Sequence, residues 1–405
     1  MENRIQETST IKKLTAAEWV NKLIQFTQSV GGACAVWKLP NDNTINLLAD
    51  LKGGDQLSEL ELDELSEGFL MAPFDVSEAH YLHFKPDLQA TINMPEFADS
   101  NDTIEIEWNA ENEVNVEKFR SFIKQQKTSV KLKPLTSNVS STTKEAYVNN
   151  VEKGVEAIKA EQFYKVVPSK IKVIESQKTP NIGQAYLNTA NKYPNAFVSL
   201  TVSPDSGIWL GATPEILIED VHNGHFKTVA LAGTQRKTER PIAETAWTQK
   251  EIEEQAYVSR YIINCFKKIR LREYEEIGPK TIEAGHLLHL KTTYKVDKQA
   301  VNFPELASVM LKLLHPTSAV CGMPKDAALQ FINETEAHER SYFSGFLGPI
   351  HKAGKTNLFV NLRCCQFFEG AVAFYAGAGI TEDSNPEKEW EETEMKCDVL
   401  ASVIL

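Results

Sequence analysis

The stretch Ala196-Phe-Val-Ser-Leu-Thr-Val-Ser-Pro-Asp-Ser-Gly-Ile-Trp-Leu-Gly-Ala-Thr-Pro-Glu-Ile-Leu-Ile218 sets three apolar runs, 196–202, 207–210 and 216–218, one after another. They are rich in β-branched and aromatic residues with period-two alternation, the pattern of strands packed on a core. Working outward, the same character returns at 164–167, 226–230, 357–365 and 371–376. Helical spacing appears over 248–270, 303–314, 325–334 and 386–404. Strands that follow strands, rather than alternating with helices, predict an α+β fold and not a doubly wound sheet. No repeat with a period of about 20–50 residues is visible, which argues against a solenoid.

Toward the N-terminus the pattern is mixed. Residues 1–14 read as a polar tail, 16–30 as a helix, 33–39 as a strand, and 57–74 as an acidic amphipathic stretch. No chemical motif lies between 15 and 135, which read as the N-terminal part of the same α+β domain. A Ser/Thr-rich connector, 136–143, leads into the motif-bearing part, 136–405. Thr142 and Glu145 have capping-box spacing for a helix running to about residue 162. A chain of 405 residues fits one large domain or two closely merged ones.

Composition narrows the function. The hydrophobic fraction is 42% and the net charge −12, from 55 acidic and 43 basic residues. A nucleic-acid partner would demand a basic face, so none is expected. A small anionic substrate would need a local cation, either a metal ion or inward-pointing Lys and Arg. The six cysteines show neither a CxxC pair nor zinc-like spacing with His. Cys364 and Cys365 are adjacent in an expected strand and should point to opposite faces. No N-terminal apolar run and no span of about eighteen apolar residues is present, so neither a signal peptide nor a membrane helix is expected. Reduced thiols and a cytoplasmic location fit best.

Two helices carry clustered carboxylates. At the C-terminus, Asn385 then Pro386 read as an N-cap and N1 proline, with Ser384 and Glu387 as a register one residue earlier. Trp390, Cys397, Leu400 and Ile404 form its apolar face, which leaves Glu389, Glu392 and Lys396 together on another. In the second helix Thr248 and Glu251 suit a capping box, and Glu251, Glu253 and Glu254 crowd the early turns. Each cluster alone also reads as a solvated face or as acid favoured by the helix dipole. Together they could hold a hard cation, since Mg²⁺ takes one or two carboxylates and completes its shell with water and substrate oxygens.

Other residues look out of place. In Phe163-Tyr-Lys-Val-Val-Pro168, Lys165 shares a strand face with Phe163 and Val167. It reads either as an edge-strand lysine that blocks aggregation or, buried, as a general base whose pKa desolvation would lower. Glu215 precedes three branched apolar residues, and burial would raise its pKa and suit a general acid. Leu231-Ala-Gly-Thr234 and Ala376-Gly-Ala-Gly-Ile380 read as tight turns or as backbone donors to a carboxylate. Arg363, within Val360-Asn-Leu-Arg-Cys364, reads as a buried structural ion pair or as a bidentate carboxylate contact.

In order, Lys165-Val-Val, Gly211-Ala-Thr-Pro-Glu215, Leu231-Ala-Gly-Thr234 and the Glu254 helix resemble the chorismate-utilising enzyme family, and within it the isochorismate synthases. The likeness continues through Leu288-His-Leu290, His315-Pro-Thr-Ser-Ala-Val-Cys-Gly322, Glu339-Arg340, Arg363, Ala376-Gly-Ala-Gly-Ile380 and Glu389-Trp-Glu-Glu-Thr393 with Lys396. It runs from about Thr142 to Leu405, and Pro168 and Gln255 depart from it mildly. The resemblance implies one large domain with two packed antiparallel sheets surrounded by helices. It implies reversible conversion of chorismate to isochorismate, with water added at C2 and hydroxide lost from C4. It assigns Lys165 as the base and Glu215 as the acid, and Glu254 and Glu392 as ligands of Mg²⁺, which grips the ring carboxylate. Gly233, Thr234, Gly377 and Gly379 would donate nearby, Arg363 and Lys396 would bind carboxylates, and His289, Ala319 and Val320 would line the ring pocket. A monomer is expected because the site falls within one chain, and menaquinone biosynthesis is expected as the more widespread use of a stand-alone enzyme of this kind.

Rivals separate on single positions. Lys165 disfavours the ammonia-using paralogues, and Ala232 stands where aminodeoxychorismate synthases usually carry a nucleophilic lysine. Salicylate synthases share the base and the acid and are the nearest alternative, followed by isochorismate supply to a catechol siderophore. A metal-dependent phosphoesterase would need an Asp/His cluster that the nine histidines do not form. A catalytically dead binding protein should lack one of Lys165, Glu215, Glu254 or Glu392, and all four are present.

Overall fold

In the computed structural model, which describes residues 14–405 apart from 78, 95–102, 105, 111, 126–138, 177–179, 240 and 285–286, Phe197–Ser203 and Gly207–Thr213 form an antiparallel hairpin. Its turn is closed by Ser203, whose hydroxyl accepts the Ser206 amide at 2.9 Å. Pro214 has no N–H to offer the ladder, and the next strand, Ile216–Val221, joins a different sheet.

The first sheet has eight strands in the order Ser169–Glu175, Ala371–Gly377, Cys364–Phe368, Gly207–Thr213, Phe197–Ser203, Ala33–Lys38, Thr44–Asp50, Leu88–Asn93. The second has nine: Glu275–Ala284, Leu287–Asp297, His225–Arg236, Ile216–Val221, Lys355–Val360, Phe346–Ile350, Gly68–Ala72, Tyr81–Phe84, Asp55–Leu57. Every pairing in both is antiparallel. The expected α+β class and two packed antiparallel sheets are therefore found. Strands from the first hundred residues complete both sheets. The expected polar tail lies outside the described residues except for Leu14, which is buried, and the expected connector is described only from residue 139.

Eight helices occur among the described residues: α1 (Ala16–Ser29), α2 (Glu113–Gln125), α3 (Lys144–Lys159), α4 (Ile182–Lys192), α5 (Gln249–Lys268), α6 (Leu306–Leu314), α7 (Lys325–Thr335) and α8 (Pro386–Ile404). α1, α4 and α8 pack Trp19, Tyr186 and Leu400 against Val36, Leu200 and Phe374 of the eight-stranded sheet. α5, α6 and α7 pack Ile262, Met310 and Ile332 with Phe226, Tyr294 and Leu358 of the nine-stranded sheet. Between the sheets lies an aromatic layer that includes Trp37, Phe69, Trp209 and Tyr375. Phe197 and Phe359, one from each sheet, stack with centroids 4.1 Å apart and planes 2° from parallel. Burying each such ring contributes about 1.5–3 kcal/mol, so this layer fixes the two sheets against each other. Cys364 joins the layer between the sheets and Cys365 the outer core, the opposite-face placement expected of neighbours in a strand.

α8 starts in the Asn385 register: its side chain accepts the Lys388 amide at 3.1 Å, while Ser384 accepts from Thr381 instead. α3 is capped by Thr143, not Thr142, because Thr142 exchanges bonds with the Ile171 backbone in the neighbouring strand. The run 357–365 is not one strand. It divides into Lys355–Val360 and Cys364–Phe368, which belong to different sheets.

Candidate active site

That division builds the first wall of a cavity. Gly207–Thr213 pairs with Cys364–Phe368 in one sheet, and Ile216–Val221 with Lys355–Val360 in the other. Both chain segments change sheets side by side, one through Pro214 and Glu215, the other through Asn361, Leu362 and Arg363. The Val360 amide donates to the Glu215 carbonyl and the Ala212 amide to the Arg363 carbonyl, both at 3.0 Å. Arg363 adopts φ 48°, so it sits in the crossover and not inside a strand as the sequence suggested. Glu215 and Arg363 thereby line one cavity of about 70 Å³. Burial pushes the Glu215 carboxyl up to about 7, against the opposing pull of Lys165, Arg363 and Lys396.

A bulge makes the second wall. His225–Arg236 and Leu287–Asp297 lose register between Ala232 and Gln235, which turns Gly233 and Thr234 out of the ladder. Gly233 has φ +72°, and a Cβ there would press within 3.3 Å of Glu251. Its N–H donates to Glu254 Oε2 at 3.3 Å, and its carbonyl accepts from His289 Nδ1 at 2.9 Å. The second bond sets the tautomer: Nδ1 carries the proton and Nε2 keeps a free lone pair. Nε2 is buried without a hydrogen-bond partner. Burial, then Arg363, draws the imidazole down to about 3, so it stays neutral. Thr234 Oγ1 lies 3.3 Å from the same Nδ1.

Lysines and carboxylates form the third part. Lys165 is wholly buried with Nζ 3.1 Å from Glu254 Oε1. Gly379 is needed beside them, since a Cβ there would stand 2.6 Å from that oxygen and 3.0 Å from Lys165 Cε. Lys396 Nζ lies 2.7 Å from Glu392 Oε1 and donates to the Gly377 carbonyl at 2.8 Å. Lys250 Nζ meets Glu389 Oε1 at 2.5 Å. Burial pushes Glu254 up, but Lys165, Lys396 and Lys250 outweigh it and hold the carboxyl below its usual range. For Glu389 burial wins, and its pKa rises in spite of Lys250.

Most of the residues singled out from sequence meet here. Glu215, Gly233, Thr234, Glu254, His289, Ala319, Val320, Arg363, Gly377 and Lys396 line the cavity. Lys165, Gly379 and Glu392 stand just behind it, each against a lining residue. A wider chamber of about 770 Å³ shares Pro214, His289 and Arg363 with it. Lys250 was not legible in the sequence, where it looks like one more solvent-exposed helical lysine. Glu336 was also missed. Its side chain is only 3% exposed, bonds Arg340 and caps the Ser169 amide at 2.6 Å, whereas the Glu339 beside Arg340 in sequence is exposed.

Among the described residues, no three His, Cys, Asp or Glu side chains converge as a closed metal cage. Mg²⁺ asks for less, one or two carboxylates with water and substrate supplying the rest. The residues fit that demand. Lys250 feels Glu389, Glu392 and Glu254 together, and Glu389 Oε2 is buried without a partner, an acceptor that a cation or its water would satisfy.

Residues 58–405 match a family model described as chorismate binding enzyme. The isochorismate synthase EntC of Escherichia coli K12 is 30% identical over 205 residues, 49% of this chain and 51% of its own. The isochorismate synthase DhbC of Bacillus subtilis is 29% identical over 267 residues, 62% of this chain and 66% of its own. The chain thus spans about half to two-thirds of the length of these curated relatives. The solved structure of the menaquinone-specific isochorismate synthase MenF from Escherichia coli superposes with TM-score 0.72 at 19% identity, covering 95% of this chain and 91% of that one, a likeness of fold.

Proposed function

The chain belongs to the chorismate-binding enzyme family, and from that membership we propose that it isomerises chorismate to isochorismate with Mg²⁺. The observation that carries the reading is Glu215, a buried carboxyl pushed up to about 7 in a cavity whose other walls offer lysines and an arginine. A carboxyl that stays protonated near neutrality can hand a proton to a departing hydroxyl. Lys165 is assigned the proton from the water that attacks C2. The two residues that looked least at home in the sequence thereby divide the work of a reaction that needs both an acid and a base.

Binding falls to the cationic and donor groups. Arg363 offers a planar fork to a carboxylate, and Lys396 a point charge. His289 Nε2, held as a bare acceptor, can receive a substrate hydroxyl proton in a hydrogen bond. Gly233, Thr234, Gly377 and Gly379 shape the cradle. Glu254 and Glu392 would hold the magnesium ion. When bound, it supplies the positive charge that lets an acidic protein bind a dianion.

No helix among the described residues is long and apolar enough to cross a membrane, and all six cysteines are free and buried. Free thiols support our placing the enzyme in a reducing cytoplasm. Menaquinone biosynthesis, the more widespread use of such enzymes, is the proposed destination of the product. Incubating the purified protein with chorismate and Mg²⁺, without ammonia, tests the reading. A chorismate–isochorismate mixture that reaches one ratio from either side is expected. Salicylate with pyruvate would move the assignment to salicylate synthesis, and absence of turnover would refute the activity.

A further inference from the structure

α8 carries three of the charged groups discussed above, and its hold on the sheet is unusual. Lys170 and Lys172 alternate along the strand Ser169–Glu175 and so project from one face. Lys170 is 1% exposed, and its Nζ sits 3.3 Å from the centroid of the Trp390 ring. It also pairs with Glu394. Lys172 Nζ reaches Glu394 Oε2 at 2.8 Å and Asp398 Oδ1 at 3.2 Å. Trp390, Glu394 and Asp398 are four apart, one stripe along α8. Tyr147 of α3 packs on Trp390 as well, with centroids 5.8 Å apart.

The stripe fixes the rotation of the helix. Glu389 precedes Trp390 and Glu392 follows it, and one residue of helical slippage turns a side chain by about 100°. A buried ammonium over an indole face resists such turning, because rotating α8 carries both the ring and Glu394 away from the charge in a desolvated site. The ion pairs of Lys172 lie nearer solvent and constrain the helix less.

We propose that Lys170 is a positioning residue for the divalent-cation site: seated on Trp390, it holds α8 in the rotation that brings Glu389 and Glu392 toward Glu254. The inference rests on the reading of Glu254 and Glu392 as cation ligands.

Mn²⁺ binding to the full chain, followed by the electron paramagnetic resonance of the free ion, tests it. Lys170→Met should weaken Mn²⁺ binding about tenfold, and Lys170→Arg, which keeps a cation over the ring, should restore it. The Mg²⁺ concentration for half-maximal turnover should rise in parallel, while kcat at saturating Mg²⁺ stays near wild type. A merely destabilised protein would lose kcat instead. Should Lys170→Met melt below the working temperature, Trp390→Phe carries the same test with a smaller loss. Wild-type affinity in a folded Lys170→Met or Trp390→Phe protein would overturn the clamp alone. Absence of Mn²⁺ binding in the wild-type chain would overturn the ligand reading, and the clamp with it.

Discussion

Glu215 and Glu254 are the same residue type, the first buried and the second with its side chain 18% exposed, in two walls of one cavity, and they end in opposite states. At the crossover between the sheets, Glu215 makes no side-chain ion pair among the described residues, only the longer-range pull of Lys165, Arg363 and Lys396, and burial prevails. On α5, Glu254 takes a direct bond from Lys165 and another from the Gly233 amide, and its charge prevails. Desolvation alone would raise both carboxyls. Direct contact decides between an acid that can release a proton and an anion that can hold a cation. The backbone arranges the difference, because the crossover brings Glu215 in from a strand end while a helix turn delivers Glu254 to a lysine.

The largest effects should appear in turnover. Glu215→Gln and Lys165→Ala should each lower kcat about 10³-fold at pH 7 with the fold intact, the range for losing a general acid or base. Normal turnover in either would remove that residue from the reaction. Glu254→Ala and Glu392→Ala should abolish activity together with its response to Mg²⁺. Full wild-type activity in EDTA would refute the metal role of both.

Stability should split the two glutamates in opposite directions. Glu254→Gln leaves the wholly buried Lys165 ammonium without its partner, a change that costs about 3–5 kcal/mol. Glu215→Gln should do the reverse at alkaline pH. Its folded pKa lies above the usual 4.5, at about 7, so the native state favours the protonated carboxyl. That contribution is present below 4.5 and lost as pH rises through about 7, worth about 3 kcal/mol at about 1.4 kcal/mol per pKa unit. The neutral amide escapes the loss. In urea melts the variant should gain on the wild type from pH 5 to pH 8, and a constant gap would show that Glu215 is not a buried acid.

Much of this contrast was legible in the sequence. Lys165 and Glu215 stood out because each is a charge set among branched apolar residues. Strands following strands announced the α+β class. The crossover was not announced, because 357–365 is apolar on both sides of Arg363 and has neither Gly nor Pro to mark the change of sheet. Ser169–Glu175 escaped notice as a strand since Lys170 and Lys172 look like surface residues, and only the packed α8 shows that Lys170 is buried. Lys250 and Glu336 were hidden for a similar reason: their partners lie 139 residues away for one, and in a non-helical turn for the other.

The smallest and most diagnostic effect is in the pH profile. If Glu215 must donate a proton, the competent free enzyme is the form in which it is protonated, which diminishes as pH rises through about 7. kcat/KM should then fall about tenfold per pH unit on the alkaline side, since each further unit leaves a tenth as much protonated acid. Chorismate has no group of its own titrating there, so the limb belongs to the protein. Glu215→Gln, at its low residual rate, should lose this limb while keeping any acidic one, because its amide does not titrate. Lys165→Ala should keep it. A limb that survives in Glu215→Gln would assign the proton to another group, and the paired carboxyls on α5 and α8 would be the next place to look.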